Sequence, residues 1–202
     1  GLPVRHDDDP DRAARAAINM IRTLWEWNAQ RRDRGLKTVD MGVGIHTDHI
    51  VSGNIGSPKR MDYTVIGDGV NLASRLESAC KAYSARILAS ENTVSRFNGT
   101  YRMRDIDLVV VKGKTAPVRV FELLDYHDAQ TFPAMRDVLG HFDDGIIAYR
   151  GARWEEAITR FEKCLSLNPG DGLSRTYVER CRILQATPPH GEWDGVWVMK
   201  DK

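Results

Sequence analysis

The sequence predicts an α+β fold, a region of strands and helices followed by a small all-α tail. Three observations predict it. Apolar residues alternate in some segments and recur at three-to-four spacing in others. The two kinds of segment interleave as far as Asp125, and beyond it only helical spacing remains. The 202 residues are enough to bury a core, as one large domain or one domain with an appendage.

Composition narrows the function classes. Hydrophobic residues make up 42% and charged residues 28%, and 29 Lys and Arg against 28 Asp and Glu leave a net charge of +1. Such a balance argues against a general nucleic-acid binder. No apolar run reaches the roughly 18 to 20 residues that span a bilayer, and Gly1 to Asp9 does not resemble a signal peptide, so a soluble segment without membrane contact is expected. Cys80, Cys164 and Cys181 are odd in number and lack CxxC spacing, which indicates neither a disulfide framework nor a zinc site. A reducing, cytoplasmic compartment follows as the expectation.

The elements can be justified in order. Asp9 as N-cap with Pro10 at the first helical position opens a long amphipathic helix through Ala14, Ala17, Ile18, Ile21, Leu24 and Trp25, stopped by Gly35. From Val39 the period becomes two: Val39, Met41, Val43 and Ile45 alternate with Asp40, Gly42, Gly44 and His46, predicting a half-buried strand. A second strand runs from Ile50 to Ile55. After a loop at Ser57 to Arg60 comes a third, Tyr63 to Ile66. A helix opens after Gly67-Asp68-Gly69 and runs through Val70, Ala73, Leu76, Glu77 and Cys80. Arg86 to Ala89, Tyr101 to Asp107, Leu108 to Val111 and Val118 to Leu124 read as strands, with a short helix Glu91 to Phe97 capped by Ser90. The last two strands flank Lys112 to Pro117 as a hairpin. This order suggests a sheet with helices on one face.

A domain boundary is expected near residue 128, giving 1–127 and 128–202. Helical patterns follow at Met135 to Tyr149, Trp154 to Leu167 and Ser174 to Leu184. Gly145, Ala157, Phe161, Cys164 and Pro169 fall at the offsets of a tetratricopeptide repeat. One repeat cannot bury its own face, so the tail is expected to pack on the rest of the chain, on its third helix or on a protein partner. Trp193 and Trp197 suit anchors for that packing. Trp25, Trp27 and Trp154 read as core or interface residues, and His46 as structural.

The stretch Tyr63 to Glu77 carries the chemistry. Asn71 and Arg75 stand four apart in the first turns of a helix, so they share a face behind a glycine-rich turn. An amide and a guanidinium on one face suit a polyanionic ligand with hydroxyls to orient, such as a nucleotide. A polar helix start, with Arg75 paired to Glu77 or a neighbour, is the alternative. The loop matches neither the Walker nor the Rossmann pattern.

Five segments in order, Met41-Gly42-Val43-Gly44-Ile45-His46-Thr47, Val51-Ser52-Gly53-Asn54-Ile55-Gly56, Asp62-Tyr63-Thr64-Val65-Ile66-Gly67, Val70-Asn71-Leu72-Ala73-Ser74-Arg75-Leu76 and Val111-Lys112-Gly113-Lys114, resemble the class III nucleotidyl cyclase catalytic domain. The resemblance covers about residues 1 to 125. The tail is similar, more loosely, to a helical extension that follows such domains. The resemblance implies a ferredoxin-like sheet with flanking helices and a head-to-tail dimer with sites at the interface. It also implies conversion of ATP to cyclic AMP and pyrophosphate, with two divalent cations, Mg²⁺ or Mn²⁺. By motif, Asn71 would orient the ribose, Arg75 would stabilise charge at the α-phosphate, Lys112 would bind the terminal phosphates and Thr64 would select the base. Thr at that position implies adenine over guanine.

The family's two metal-binding aspartates and its base-selecting lysine would lie upstream of Gly1, whose Gly1-Leu2-Pro3 resembles the end of the segment that follows them. The chain then reads as the C-terminal part of a cyclase domain, inactive alone, from a parent that is cytoplasmic or membrane-anchored through upstream segments. Asp7, Asp8 and Asp9 fit helix-dipole compensation better than metal binding. A non-catalytic cyclase-fold regulatory or dimerisation module, and a guanylate cyclase, are the alternatives.

Overall fold

A computed structural model describes all residues except 2–3, 58–59, 110–116, 190, 192 and 198–202. Helix α1, Asp9–Asp33, begins one residue differently from expectation: Asp8 is the N-cap, with Asp9 and Asp11 in the first turn. Asp11 is buried and accepts bonds from the amides of Asn98 and Gly99 and from the Tyr101 hydroxyl. These donors outweigh the cost of burial and hold its carboxyl below the ordinary range. Ala14, Ala17, Ile18 and Ile21 form a core with Ile45, Ile87, Ala89, Leu123 and Tyr126.

Strand β1, Val43–Ile45, is shorter than the period-two run. The reason lies at Val39, whose N–H and C=O are both taken by the Asn28 side-chain amide, at 2.9 and 2.7 Å, instead of by a neighbouring strand. Strands β2, Val51–Ser57, and β3, Arg60–Ile66, pair antiparallel as a separate two-stranded sheet. Helix α2, Asp68–Ala82, follows directly, then β4, Ile87–Ser90, and α3, Glu91–Val94, a turn shorter than expected. The runs predicted as two strands from Tyr101 form one, β5, Met103–Val109, with a register shift between Asp105 and Asp107. It pairs antiparallel with β6, Val118–Leu123. Residues 110–116, on which the expected hairpin connection falls, lie outside the described residues. The main sheet runs β1-β4-β6-β5, with β1 and β4 parallel and the other neighbours antiparallel.

Helices cover both faces of this sheet, where the element order suggested one. Along β4, Ile87 and Ala89 face the α1 core while Leu88 joins a second core with Leu72, Leu76 and Tyr83 of the α2 region. The strand β1 face expected to be wet is glycine: a Cβ on Gly44 would stand 2.1 Å from the Ala73 carbonyl oxygen, and one on Gly42 would stand 2.8 Å from Cys80 Cβ. Two missing side chains thus let the α2 backbone lie on the strand.

Helices α4, Met135–Arg150, α5, Trp154–Leu167, and α6, Gly172–Ala186, match the expected tail helices closely. Phe142, Phe161 and Tyr177, one from each, are fully enclosed and stack within 6 Å of one another. The core that contains them also contains Leu88, Ile106 and Val120 of the main sheet. Trp193 and Trp197 pack against this core, and the Trp193 indole donates to the Tyr149 carbonyl.

Candidate functional site

Position of the site follows from α2. Its buried side, Leu72, Leu76, Ala79 and Cys80, is spaced to seat the helix on the sheet, and the exposed flank beside it carries Asn71 and Arg75. Both are exposed, and among the described residues neither side chain has a hydrogen bond or ion pair. The alternative in which Arg75 pairs with Glu77 therefore does not occur; Glu77 instead accepts from the Ser78 hydroxyl. The helix backbone is anchored from behind, and the guanidinium and amide it carries are left open to solvent on one face.

Thr64 stands on β3 opposite Gly53, two residues before that strand ends and leads into α2. It is exposed, and the glycine opposite leaves no cross-strand side chain over its hydroxyl. Lys112 lies outside the described residues. The hairpin that carries Thr64 is itself unusual: Val51, Ile55, Met61, Tyr63 and Ile66 are all exposed, on a ribbon of two strands. Such a ribbon is marginal on its own and presents apolar surface of the kind that another chain covers.

Around this face the polar residues are structural. His46 lies with Nδ1 2.6 Å from the Ser90 hydroxyl, and Thr47 donates to Thr93, so the end of the Met41 to Thr47 segment is tied to α3. Burial pushes the Cys80 and Cys164 thiols up to about 11 and Cys181 up to about 12, leaving all three protonated and unreactive at neutral pH. Among the described residues no group of three or more His, Cys, Asp and Glu converges as a metal site would, so these residues do not by themselves fit a two-metal centre. Nor is any described helix long and apolar enough to cross a membrane.

Several buried charges escaped sequence reasoning. Arg104 on β5 bonds Glu122 on β6 at 2.8 Å and both carboxylate oxygens of Asp171 at 3.0 and 2.9 Å. Burial works against its charge, but Glu122 and Asp171 prevail and hold its pKa above the ordinary value. Asp107 on β5 meets Arg180 of α6 and Tyr83, and Asp105 meets Arg150 of α4. Partners lie 67 and 73 residues away along the chain for Arg104–Asp171 and Asp107–Arg180, and no local pattern signals them.

Residues 1–125 match the family described as the adenylate and guanylate cyclase catalytic domain. The chain is 34% identical over 172 residues to the terminal-differentiation specific adenylate cyclase of Dictyostelium discoideum, covering 84% of this chain and 8% of that protein. With the adenylate cyclase of Anabaena cylindrica it shares 38% identity over 124 residues, covering 58% of this chain and 25% of that one. The chain thus spans a quarter or less of the length of these curated relatives. Among solved structures it resembles the adenylyl cyclase CyaB from P. aeruginosa, at TM-score 0.54 and 36% identity over 62% of this chain and 64% of that one. The guanylyl cyclase Cya2 gives TM-score 0.54 and 35% identity over 61% of each chain. With the sheet, the Asn71–Arg75 helix face and a family match covering well over half its length, the chain belongs to the class III adenylate and guanylate cyclase catalytic domain family.

Proposed function

We propose that this chain supplies one half of a composite adenylate cyclase site, which converts ATP to 3′,5′-cyclic AMP and pyrophosphate. The observation that carries the reading is the exposed, uncommitted Asn71–Arg75 pair on a helix held against the sheet by Gly42 and Gly44. In the reaction the ribose 3′-oxygen attacks the α-phosphorus, its proton is lost, and pyrophosphate leaves. Asn71 holds the ribose in line for that attack. Arg75 neutralises the charge that develops on the α-phosphate oxygens, and a preorganised donor of this kind contributes about 10²- to 10³-fold. Thr64 accepts a hydrogen bond from the exocyclic amine of adenine, and Lys112 serves the terminal phosphates as a point charge. Mg²⁺ or Mn²⁺ supplies nucleophile activation and charge neutralisation when bound, and we assign its ligands to aspartates that this chain's described residues do not include.

The exposed apolar β2–β3 ribbon supports a homodimer in which each copy covers the other's ribbon. We assign residues 1–127 to the cyclase domain and 128–202 to a helical tail with tetratricopeptide-like spacing, and place the activity in the cytoplasm. A guanylate cyclase is the second reading, favoured by the equal likeness to the solved guanylyl cyclase.

The test joins this chain to an N-terminal segment bearing the family's aspartates and supplies ATP or GTP with Mn²⁺. Cyclic AMP from ATP, with little product from GTP, is expected; the reverse preference would replace the adenylate reading with the guanylate one. Mixing an Arg75→Ala protein with one lacking a metal aspartate should restore part of the activity, because one of the two shared sites in the mixed dimer is intact. No restoration would show that each site is built within one copy.

A further inference from the structure

The two residues that follow α2, Tyr83 and Ser84, are wedged between β5 and the tail helix α6. Tyr83, the residue that caps α2, is buried, and its hydroxyl donates to Asp107 Oδ2 at 2.5 Å. The same oxygen accepts from Arg180 Nη1 of α6 at 2.8 Å, while Oδ1 of Asp107 accepts from the Leu108 amide. Arg180 is itself enclosed, with its guanidinium 5.1 Å from the Tyr83 ring, 5.2 Å from Tyr177 and 5.1 Å from Trp197. Tyr177, also on α6, donates its hydroxyl to the Ile106 carbonyl beside Asp107. The first residue of α6 completes the wedge: a Cβ on Gly172 would stand 2.5 Å from Ser84 Cβ, in the turn that follows α2.

We propose that α6 positions the catalytic helix through this node, with Asp107 as the link and Tyr83 as a positioning residue for Asn71 and Arg75. The proposal rests on the cyclase reading of those two residues and adds the tail as part of the site's support. The tail is then not an appended module but a brace at the C-terminal end of α2, whose length rests on β1 and β4.

Physical coupling follows from burial. Asp107 is 2% exposed, and its charge is compensated by Arg180. If α6 withdrew, an uncompensated carboxylate would remain in the core, which is costly enough that Asp107 would turn toward water or protonate. Either change disturbs the bond from Tyr83 and frees the end of α2. An α-helix is stiff at this length. Arg75 lies eight residues from Tyr83 and Asn71 twelve, or about 12 and 18 Å at 1.5 Å per residue. A shift at one end therefore reaches the other, and about 1 Å of misplacement at a reacting centre can cost about 10²-fold in rate.

Two measurements test the coupling. In this chain as it stands, hydrogen exchange across α2 should speed up by about tenfold in Tyr83→Phe, which keeps the ring and removes the hydroxyl, and in Arg180→Met. Arg182→Met, which removes an exposed pair with Glu162 on the outer face of α6, should leave α2 unchanged. Faster exchange confined to the tail would overturn the coupling. In the aspartate-bearing protein, Tyr83→Phe should lower kcat about tenfold with KM for ATP within about twofold, well below its melting temperature. Arg75→Ala is the benchmark. If Arg75→Ala abolishes turnover while Tyr83→Phe keeps wild-type kcat, the positioning role is wrong and the cyclase reading stands. If Arg75→Ala keeps wild-type turnover, the reading of the helix fails, and the positioning role with it.

Discussion

His127 sits among the rings of Trp25, Tyr126 and Phe132, with centroids 5.3, 4.3 and 5.2 Å away. Burial, then the nearby Arg104 guanidinium, pushes its pKa down from 6.5 to about 4, against the pull of Asp128. The folded state thus holds the imidazole neutral where an unfolded chain would protonate it. The group leaves stability unaffected above about pH 6.5 and costs stability progressively as pH falls toward 4, by up to about 1.4 kcal/mol per pH unit. Asp11 and Asp40, held below the ordinary carboxylate range, titrate beneath this window. Urea midpoints measured from about pH 7 to 4.5 should therefore fall more steeply for the native protein than for His127→Gln; parallel curves would contradict the assignment. At this scale the sequence was unevenly legible. Asn71, Arg75 and Thr64 stand out because their neighbours form a contiguous motif. Arg104, Asp107, Asp171 and Arg180 read locally as solvated charges, and only the docking of the tail on β5 buries them.

The elements were legible where one partner suffices to explain the pattern. The apolar face of α1 and the three tail helices follow from three-to-four spacing, and the structure differs there by a residue or two at the ends. Strand β1 was overextended by its alternating pattern because Asn28 on α1, not a strand, takes up the backbone groups of Val39. The alternation counts Gly42 and Gly44 on the polar side, whereas they mark where a helix backbone lies. Gly44→Ala should on this account cost at least about 1 to 3 kcal/mol, since the added methyl meets carbonyl and amide groups of α2 that cannot step aside. An unchanged urea midpoint would show that α2 does not rest on β1. In the tail, Phe161 is fully buried against Phe142 and Tyr177, and Phe161→Ala should cost about 3 to 5 kcal/mol. The neighbouring Gly145→Ala should also destabilise, because its methyl would stand 2.7 Å from the Phe161 ring. Both are read from thermal or urea unfolding.

For the molecule as a whole, one core runs through the main sheet and all three tail helices, and two buried ion clusters cross the same seam. Residues 128–202 alone would orphan Asp171 and Arg180 and expose one side of α6, so they should show no cooperative, monomeric helical melt by circular dichroism; such a melt would make the tail an independent domain. The catalytic reading is tied to the same assembly through the proposed link from α6 by way of Asp107 and Tyr83 to α2. Its most direct test is the turnover of ATP to cyclic AMP by the aspartate-bearing protein and its Asn71→Ala and Arg75→Ala variants. Turnover should fall by about 10²-fold or more in each, with far smaller changes in KM, because both side chains are assigned to the transition state. Near-native turnover in either variant would contradict the central claim that this face of α2 performs the chemistry.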